Sequence, residues 1–197
     1  MTTAVLPPSF YNRPVLQVAR ELLGARLVRR LDGQRLSGII VETEAYRGED
    51  DLACHARAGR TPRTAVMYGP PGRAYVYFTY GMHWLLNCVS EAEGYPAAVL
   101  IRAILPLEGR EIIAARRAGR PEREWCSGPA RLCAALAVDG RMNGVDLCDP
   151  AGELWIEPGE PLPDAAVRTG PRVGIESVPE PWRSLPWRFL AQRATGG

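Results

Sequence analysis

The sequence predicts a single α+β domain with a curved, mostly antiparallel sheet flanked by helices. Short runs of branched and aromatic residues recur and are bounded by glycine and proline, which is typical of strands. Other segments have helical spacing, and 197 residues with 46% hydrophobic content suit one core. No repeat or linker divides the chain, so we expect one domain over residues 1–197, with loosely ordered ends at 1–12 and 191–197.

The first predicted element is a helix from Val15 to Gly24. Asn12 is a capping type of residue, Pro14 suits a helix start, and the terminal glycine suits a helix end. An apolar stripe between them predicts that one face of this helix is buried.

Four strands follow from composition and alternation. Leu36 to Thr43 reads as a mostly buried strand, with Glu44 at or near its end. Residues 74–80 and 83–90 predict two strands joined near Gly81, and residues 97–105 predict another. Together they predict an antiparallel core sheet.

The remaining segments predict loops and short helices. Residues 47–72 are polar and rich in glycine and proline, with Arg57, Arg60 and Arg63 spaced by threes, which indicates an exposed loop. Residues 108–118 and 128–138 have helical spacing. The proline-rich stretch 158–186 predicts short strands at most.

Charge and composition limit the chemistry. The formal charge is only +2, and all 24 basic residues are arginine. Without lysine, no side chain can form a Schiff base. The five cysteines are widely spaced and only two histidines are present, so small buried thiols are favoured over a zinc site. No signal peptide or apolar span is recognisable, which predicts a cytoplasmic protein.

Two acids and one arginine are candidates for a reactive centre. Glu42 and Glu44 lie two residues apart, so both side chains face the same way on a regular strand. Arg102 interrupts an apolar run, where a buried guanidinium needs a carboxylate, and either glutamate would serve. The alternative is an exposed strand face with two acids and an edge-strand arginine in solvent.

Aromatic residues cluster around these acids in the sequence. Tyr46, His55, Tyr77 and Tyr80 fall within fewer than 40 residues of a chain with only 8% aromatics, and such rings could enclose a flat base. The alternatives are ordinary core or cross-strand tyrosines and a solvent-exposed loop histidine. Asn87 lies within an apolar run, where its amide needs hydrogen-bond partners.

Ser127-Gly128-Pro129 reads as a helix start with free backbone N–H groups, followed one turn later by Arg131. Helix starts of this kind bind phosphate, although ordinary capping explains the segment equally well.

The paired blocks VETEAY and YVYFTYGM resemble the 3-methyladenine DNA glycosylases of the alkyladenine (N-methylpurine) type, and the match runs from about Pro14 to Phe189. The resemblance implies a fold like the C-terminal domain of formyltransferases. It implies a monofunctional hydrolase that flips alkylated or deaminated purines out of duplex DNA and cleaves the N-glycosidic bond, starting base excision repair. No metal or organic cofactor is implied.

Residue roles also follow from this resemblance. Glu44 matches the general base that activates a water, which Arg102 and the Val173 carbonyl help to hold. Tyr46, His55 and Tyr77 match the rings that sandwich the flipped base, Asn87 the pocket floor, and Tyr80 the wedge in the duplex. The expected phosphate contacts are Arg60, Arg63, Ser127, Gly128 and Arg131. The expected partner is damaged double-stranded DNA, bound by a monomer, with nucleoid association in a bacterium.

Two departures from the family pattern bear on the substrate range. The Arg60-Thr61-Pro62 segment is one residue shorter than in vertebrate relatives, and His83 stands where an aromatic residue is expected. Two other functions compete: a noncatalytic nucleic-acid-binding module with the same fold, and a hydrolase of free nucleosides. The pairing of Glu44 with Arg102 argues against the first, and the arginine loop, Tyr80 and the helix start argue against the second.

Overall fold

A computed structural model describes residues 4–192, which form one α+β domain around an open eight-stranded sheet. The strands run in the order β3-β4-β5-β2-β1-β6, and β8 pairs with both β2 and β7. Every pairing between these strands is antiparallel. The strands are β1 (Arg26–Leu31), β2 (Gln34–Arg47), β3 (Ala74–Thr79), β4 (His83–Val89), β5 (Ala97–Glu108), β6 (Leu154–Glu157), β7 (Val167–Gly170) and β8 (Arg188–Ala191).

Short helices flank the sheet, as predicted. They are α1 (Pro8–Tyr11), α2 (Val15–Glu21), α3 (Arg110–Arg116) and α4 (Pro129–Leu136). Helix α2 contacts β2 and β5, whereas α4 contacts β4 and β5 and is joined by α3. Both α2 and α4 contribute buried residues to the main hydrophobic core. The α+β class and the antiparallel sheet are therefore confirmed, and the likeness to a formyltransferase domain stays a prediction.

The start of α2 differs from the sequence-based expectation. Pro14 occupies the position before the helix, and Asn12 does not cap it. Instead the Val15 N–H donates to Oε1 of Glu91 at 2.9 Å, a carboxylate that comes from a distant loop. A negative charge at a helix start satisfies a free N–H group and is favoured by the helix dipole.

Strand β2 is longer than predicted and extends three residues beyond Glu44. Its second half pairs with β5 on one side and β8 on the other, so the backbone stays extended through Glu44. Glu44 therefore lies near the strand end, as predicted, but within a doubly paired stretch. Such a position holds its backbone more firmly than a strand end would.

Strands β1, β6 and β8 were not predicted. Strand β1 carries three arginines in six residues, and β6 and β8 have only four residues each, too few to reveal a period. Arg29 of β1 is nevertheless buried, and its guanidinium is bonded to Glu153 at 3.0 Å. These three strands are therefore stabilised by contacts with distant parts of the chain, which local sequence patterns do not show.

The segment after β2 is a loop with two short 3-10 helices, His55–Ala58 and Ala65–Tyr68. The prediction of an exposed loop was wrong in part, because Cys54, Ala56 and Met67 are buried in a second hydrophobic cluster. The N-terminal end is more ordered than expected, since α1 is helical and Tyr11 is fully buried. The expectation for the last residues, from 193 onwards, lies outside the described residues. Within residues 4–192 no helix is long and apolar enough to cross a membrane. All five cysteines are free thiols, and four of them are buried, as predicted.

Candidate active site

A cavity of about 320 Å³ opens beside the β3–β4 hairpin, between the end of β2, the start of α4 and residues 173–175. Seven of the residues that the sequence singles out line it: Tyr46, His55, Tyr77, Tyr80, Asn87, Arg102 and Val173. These residues come from four distant parts of the chain, and the fold brings them together around one space.

Glu44 lies directly behind the wall of this cavity and is completely buried. Its Oε1 accepts a hydrogen bond from the Val173 backbone N–H at 2.7 Å. Its Oε2 accepts from the Tyr46 hydroxyl at 2.8 Å and from Nη1 of Arg102 at 3.3 Å. Each of these three donors belongs to a residue that lines the cavity, so the carboxylate is held at its inner edge.

Arg102 links both glutamates, as the sequence suggested. Its Nε donates to Glu42 at 2.9 Å and its Nη1 to Glu44. The register between β2 and β5 shifts on both sides of Glu42, and the ladder passes over Arg102. A bulge of this kind re-aims side chains, which explains how one guanidinium reaches two acids. Arg188 lies 3.7 Å from Glu42 and adds a second positive charge there.

The environment raises the pKa of Glu44 above its ordinary value. Burial is the main cause, because a carboxylate loses its hydration in the interior. The charge of Arg102, the Val173 N–H and the Tyr46 hydroxyl oppose this effect, while the nearby charge of Glu42 adds to it. A buried carboxylate with a raised pKa, beside a cavity, is a typical candidate for a general base.

One wall of the cavity consists of three rings in contact: His55 meets Tyr77 edge to face, and Tyr75 is tilted against Tyr77. The ring centroids of His55 and Tyr77 lie 4.5 Å apart, and those of Tyr75 and Tyr77 lie 5.3 Å apart. Nδ1 of His55 is 2.9 Å from the Tyr75 hydroxyl, which fixes the orientation of the imidazole. Burial, together with the charges of Arg63 and Arg57, lowers the pKa of His55 to about 4. The histidine is therefore neutral at physiological pH.

Asn87 is buried on β4, opposite Tyr75 on β3. Its Nδ2 donates to the Tyr75 carbonyl at 3.0 Å, so the amide has the partner that its burial requires. The same residue lines the cavity. Its amide is thus fixed in direction by the sheet.

Tyr80 occupies the tip of the β3–β4 hairpin and is 80% exposed. Its φ of 51° and the φ of 68° at Gly81 are both positive, and the Met82 N–H donates to the Thr79 carbonyl at 3.2 Å. Successive positive φ values are typical of tight hairpin turns, but a tyrosine rarely adopts one. The turn aims a large ring away from the protein at the rim of the cavity.

The five predicted phosphate contacts do not line the cavity but lie around it. Arg60 and Arg63 are exposed in the loop after β2, and the Arg63 guanidinium lies 5.2 Å from the centre of the Tyr77 ring. Ser127 and Gly128 directly precede Pro129 and Ala130, which do line the cavity.

Ordinary side-chain capping does not explain the start of α4. Gly128 holds the capping position without a side-chain bond, and the Ser127 hydroxyl accepts from Arg131 at 3.1 Å. Phosphate binding by these residues stays a prediction.

Alternation along β3 predicts that Tyr75 and Tyr77 share one face, and Tyr75 indeed lines the cavity and orients His55. Two residues of this region were not predicted from the sequence. Asp51 and Arg172 form a bidentate ion pair with fully buried side chains behind Tyr46. They lie in irregular segments 121 residues apart, where no pattern joins them.

Fold and site together define an α+β protein with a ring-lined cavity and a buried carboxylate at its inner edge. The methylpurine-DNA glycosylase (MPG) family model matches residues 9–195. The chain is 50% identical to a protein of Methanocella arvoryzae over 94% of this chain and 91% of that protein. It is 51% identical to one of Myxococcus xanthus, over 93% and 88%, and 50% identical to one of Carboxydothermus hydrogenoformans, over 94% of both. Each relative carries the name "Putative 3-methyladenine DNA glycosylase".

The chain therefore belongs to the methylpurine-DNA glycosylase family. The resemblance recognised in the sequence blocks around Glu44 and Tyr80 is confirmed.

Proposed function

We propose that this protein is a monofunctional DNA glycosylase that acts as a monomer on damaged duplex DNA. It flips an alkylated or deaminated purine into the cavity and hydrolyses its N-glycosidic bond. The observation that carries this proposal is Glu44, a fully buried acid held by three donors at the inner edge of a ring-lined cavity. Membership of the family, and the names of its relatives, support the choice of substrate.

The ring wall suits an electron-poor purine. An alkylated purine is electron-deficient or cationic, so a tyrosine face attracts it by about 0.5 to 2 kcal/mol through cation–π contact. Neutral His55 beside Tyr77 adds stacking surface without a repelling charge. A volume of about 320 Å³ lies within the range of pockets that enclose small molecules.

The hydrogen bonds of Glu44 suggest which oxygen acts as the base. A carboxylate offers about four acceptor positions, two on each oxygen. Donors among the described residues take both positions on Oε2 and one on Oε1. The remaining position on Oε1 is where a water can donate its proton. That oxygen is also the one bound to Val173, a cavity-lining residue.

In the proposed reaction the water oxygen bonds to C1′ of the sugar while the C1′–N bond breaks. The purine leaves with the bonding electron pair, and Glu44 takes the proton of the water. The carboxylate also stabilises the positive charge that develops on the sugar. Because the chain lacks lysine, no side-chain amine competes with water.

Tyr80 supports a duplex substrate. A flipped base leaves a gap in the stack, and extrusion costs a few kcal/mol, least for damaged pairs. An exposed ring at the cavity rim can fill that gap and slow the return of the base.

Other residues have supporting roles in this proposal. The Val173 carbonyl and Arg102 hold the water. The DNA phosphates are contacted by Arg60, Arg63, Ser127, Gly128 and Arg131.

The test measures base release from duplex oligonucleotides that carry 3-methyladenine, hypoxanthine or ethenoadenine, alongside the matching free nucleosides. We expect release from at least one duplex and none from the nucleosides, because binding to the polymer positions the base. Release from nucleosides alone would favour the nucleoside hydrolase. Tight binding of damaged duplex without any release would favour a binding module.

A further inference from the structure

The buried ion pair between Arg172 and Asp51 lies behind the candidate active site and has no role in the reaction described above. Nη1 of Arg172 is 2.6 Å from Oδ2 of Asp51, Nη2 is 2.9 Å from Oδ1, and neither side chain is exposed. Replacing such a pair with uncharged residues of similar volume is often neutral for stability. Stability alone therefore gives a weak reason for this pair.

The guanidinium of Arg172 lies over two aromatic rings. Its central carbon lies 4.7 Å from the centre of the Tyr46 ring and 5.0 Å from that of Trp187. Nη1 also donates to the Ala45 carbonyl at 3.0 Å, between Glu44 and Tyr46 on β2. The position of Arg172 is thus fixed relative to the strand that carries the acid.

Two of the donors to Glu44 lie next to Arg172. Val173, the next residue after Arg172, donates its N–H to Oε1 of Glu44. Tyr46, whose ring packs on the guanidinium, donates its hydroxyl to Oε2. Arg172 is therefore next to the donors of two of the hydrogen bonds to Glu44, one in sequence and one through ring contact.

Asp51 extends the same arrangement to a third segment. Its Oδ1 accepts from the Ala53 N–H at 3.0 Å and its backbone carbonyl from the Cys54 N–H at 2.8 Å. These residues directly precede His55. The ion pair joins strand β2, the loop to His55 and the segment of Val173.

We propose that Arg172, held by Asp51, is a positioning residue that sets the direction of the Val173 N–H and the Tyr46 hydroxyl toward Glu44. It acts on the reaction through these donors and does not touch the base or the water. This inference rests on the proposed function, in which Glu44 is the base. Lysine cannot replace this arginine, because an ammonium neither bonds Asp51 with two parallel N–H groups nor stacks flat on aromatic rings.

The test is the double variant Arg172→Met with Asp51→Asn, which removes both charges and leaves the amide oxygen for Ala53. Its matched control is Arg35→Met with Glu157→Gln. That pair is also bidentate, at 3.0 and 2.7 Å, and Arg35 also packs on an aromatic ring, that of Trp155, but neither residue lines the cavity. The control pair is partly exposed and the Arg172 pair is fully buried, so the control reports the cost of losing a bidentate pair away from the cavity, and thermal unfolding of both variants measures how far the two costs differ.

We expect the Arg172 variant to bind damaged duplex like the control but to release the base about 10- to 100-fold more slowly in single turnover. The acid limb of its rate profile should move to higher pH, because the two misdirected donors favour the carboxylate form of Glu44 in the wild type. Wild-type rate and pH profile would overturn the inference. So would equal losses of binding and rate, which would indicate a general structural role.

Two further measurements separate the possible failures. Arg172→Lys keeps a positive charge against Asp51, so it tests the positioning role if the double variant does not fold. Slow base release with a shifted acid limb would support positioning, and wild-type kinetics would refute it. The pKa of Glu44, followed by NMR of its labelled carboxyl group, reports positioning without turnover. If the wild type releases no base but this pKa rises in the variant, the proposed function fails while the positioning stands.

Discussion

The inner edge of the cavity and the tip of the β3–β4 hairpin are built in opposite ways. Glu44 is fully buried in a doubly paired strand, and its two oxygens accept three hydrogen bonds. Tyr80 is 80% exposed and sits in a backbone conformation that tyrosine rarely adopts. One site is paired and dry, and the other is strained and open to water.

This difference separates two tasks. A fixed, desolvated carboxylate is useful to a reaction, because its orientation does not have to be paid for at the moment of bond breaking. A strained, exposed ring gives nothing to the free protein, so its benefit must come from what it contacts outside. Changes at the inner edge should therefore alter the rate, and changes at the tip should alter binding.

The largest expected effect is at the inner edge. Glu44→Gln should slow single-turnover base release by about 10³-fold or more, since it removes the group that accepts the proton. Affinity for damaged duplex should stay near that of the wild type. Glu42→Gln is the matched control, because the partners of Glu42 among residues 4–192 are Arg102 and Arg188, and this substitution should slow release by no more than about tenfold. Equal losses in the two variants would remove the distinction between the glutamates.

Tyr80→Ala should weaken binding to damaged duplex by about 10- to 100-fold, because stacking of one ring on bases contributes about 1 to 3 kcal/mol. The rate at saturating protein should fall much less. Fluorescence anisotropy with a labelled duplex measures the change. Leu107→Ala, an exposed apolar residue that does not line the cavity, serves as the control. Unchanged affinity for Tyr80→Ala would count against the wedge.

The pH dependence of release should reflect Glu44 and not His55. In the proposed reaction Glu44 acts as the carboxylate, and burial raises its pKa, so the rate should begin to fall with decreasing pH while the pH is still above the ordinary carboxylate range. Because burial lowers the pKa of His55 to about 4, this ring is still neutral at the pH where the limb begins. His55→Gln should keep the limb in place, and a limb that vanished in this variant would assign it to the histidine.

The smallest expected effect is on stability. Tyr80→Asn should raise the stability of the free protein by about 1 kcal/mol, since asparagine tolerates the positive φ that strains tyrosine. Thermal unfolding should show a midpoint about 2 to 4 °C higher. A lower midpoint would mean that the exposed ring makes stabilising contacts in the free protein.

The sequence could predict the elements and residues whose signals are local. The alternation of residues 74–90 located the hairpin, and the lone arginine in the apolar run of β5 correctly required a carboxylate partner. Strands β1 and β6 were not predicted, because the arginine-rich β1 is stabilised by distant contacts: buried Arg29 bonds to Glu153, more than 100 residues away. The ion pair of Arg172 with Asp51 was not predicted for the same reason, since each residue lies in a segment without helical or strand periodicity. Contacts between distant segments are what local patterns do not contain.

The most direct test compares four proteins on one damaged duplex: the wild type, Glu44→Gln, Tyr80→Ala and the variant that combines Glu44→Gln with Tyr80→Ala. Single-turnover release and equilibrium binding are measured for each. We predict that Glu44→Gln abolishes release and keeps the affinity for damaged duplex. Tyr80→Ala should weaken this affinity and keep most of the rate. The variant with both substitutions should combine the two losses additively. Base release by Glu44→Gln at a rate near that of the wild type would contradict the account.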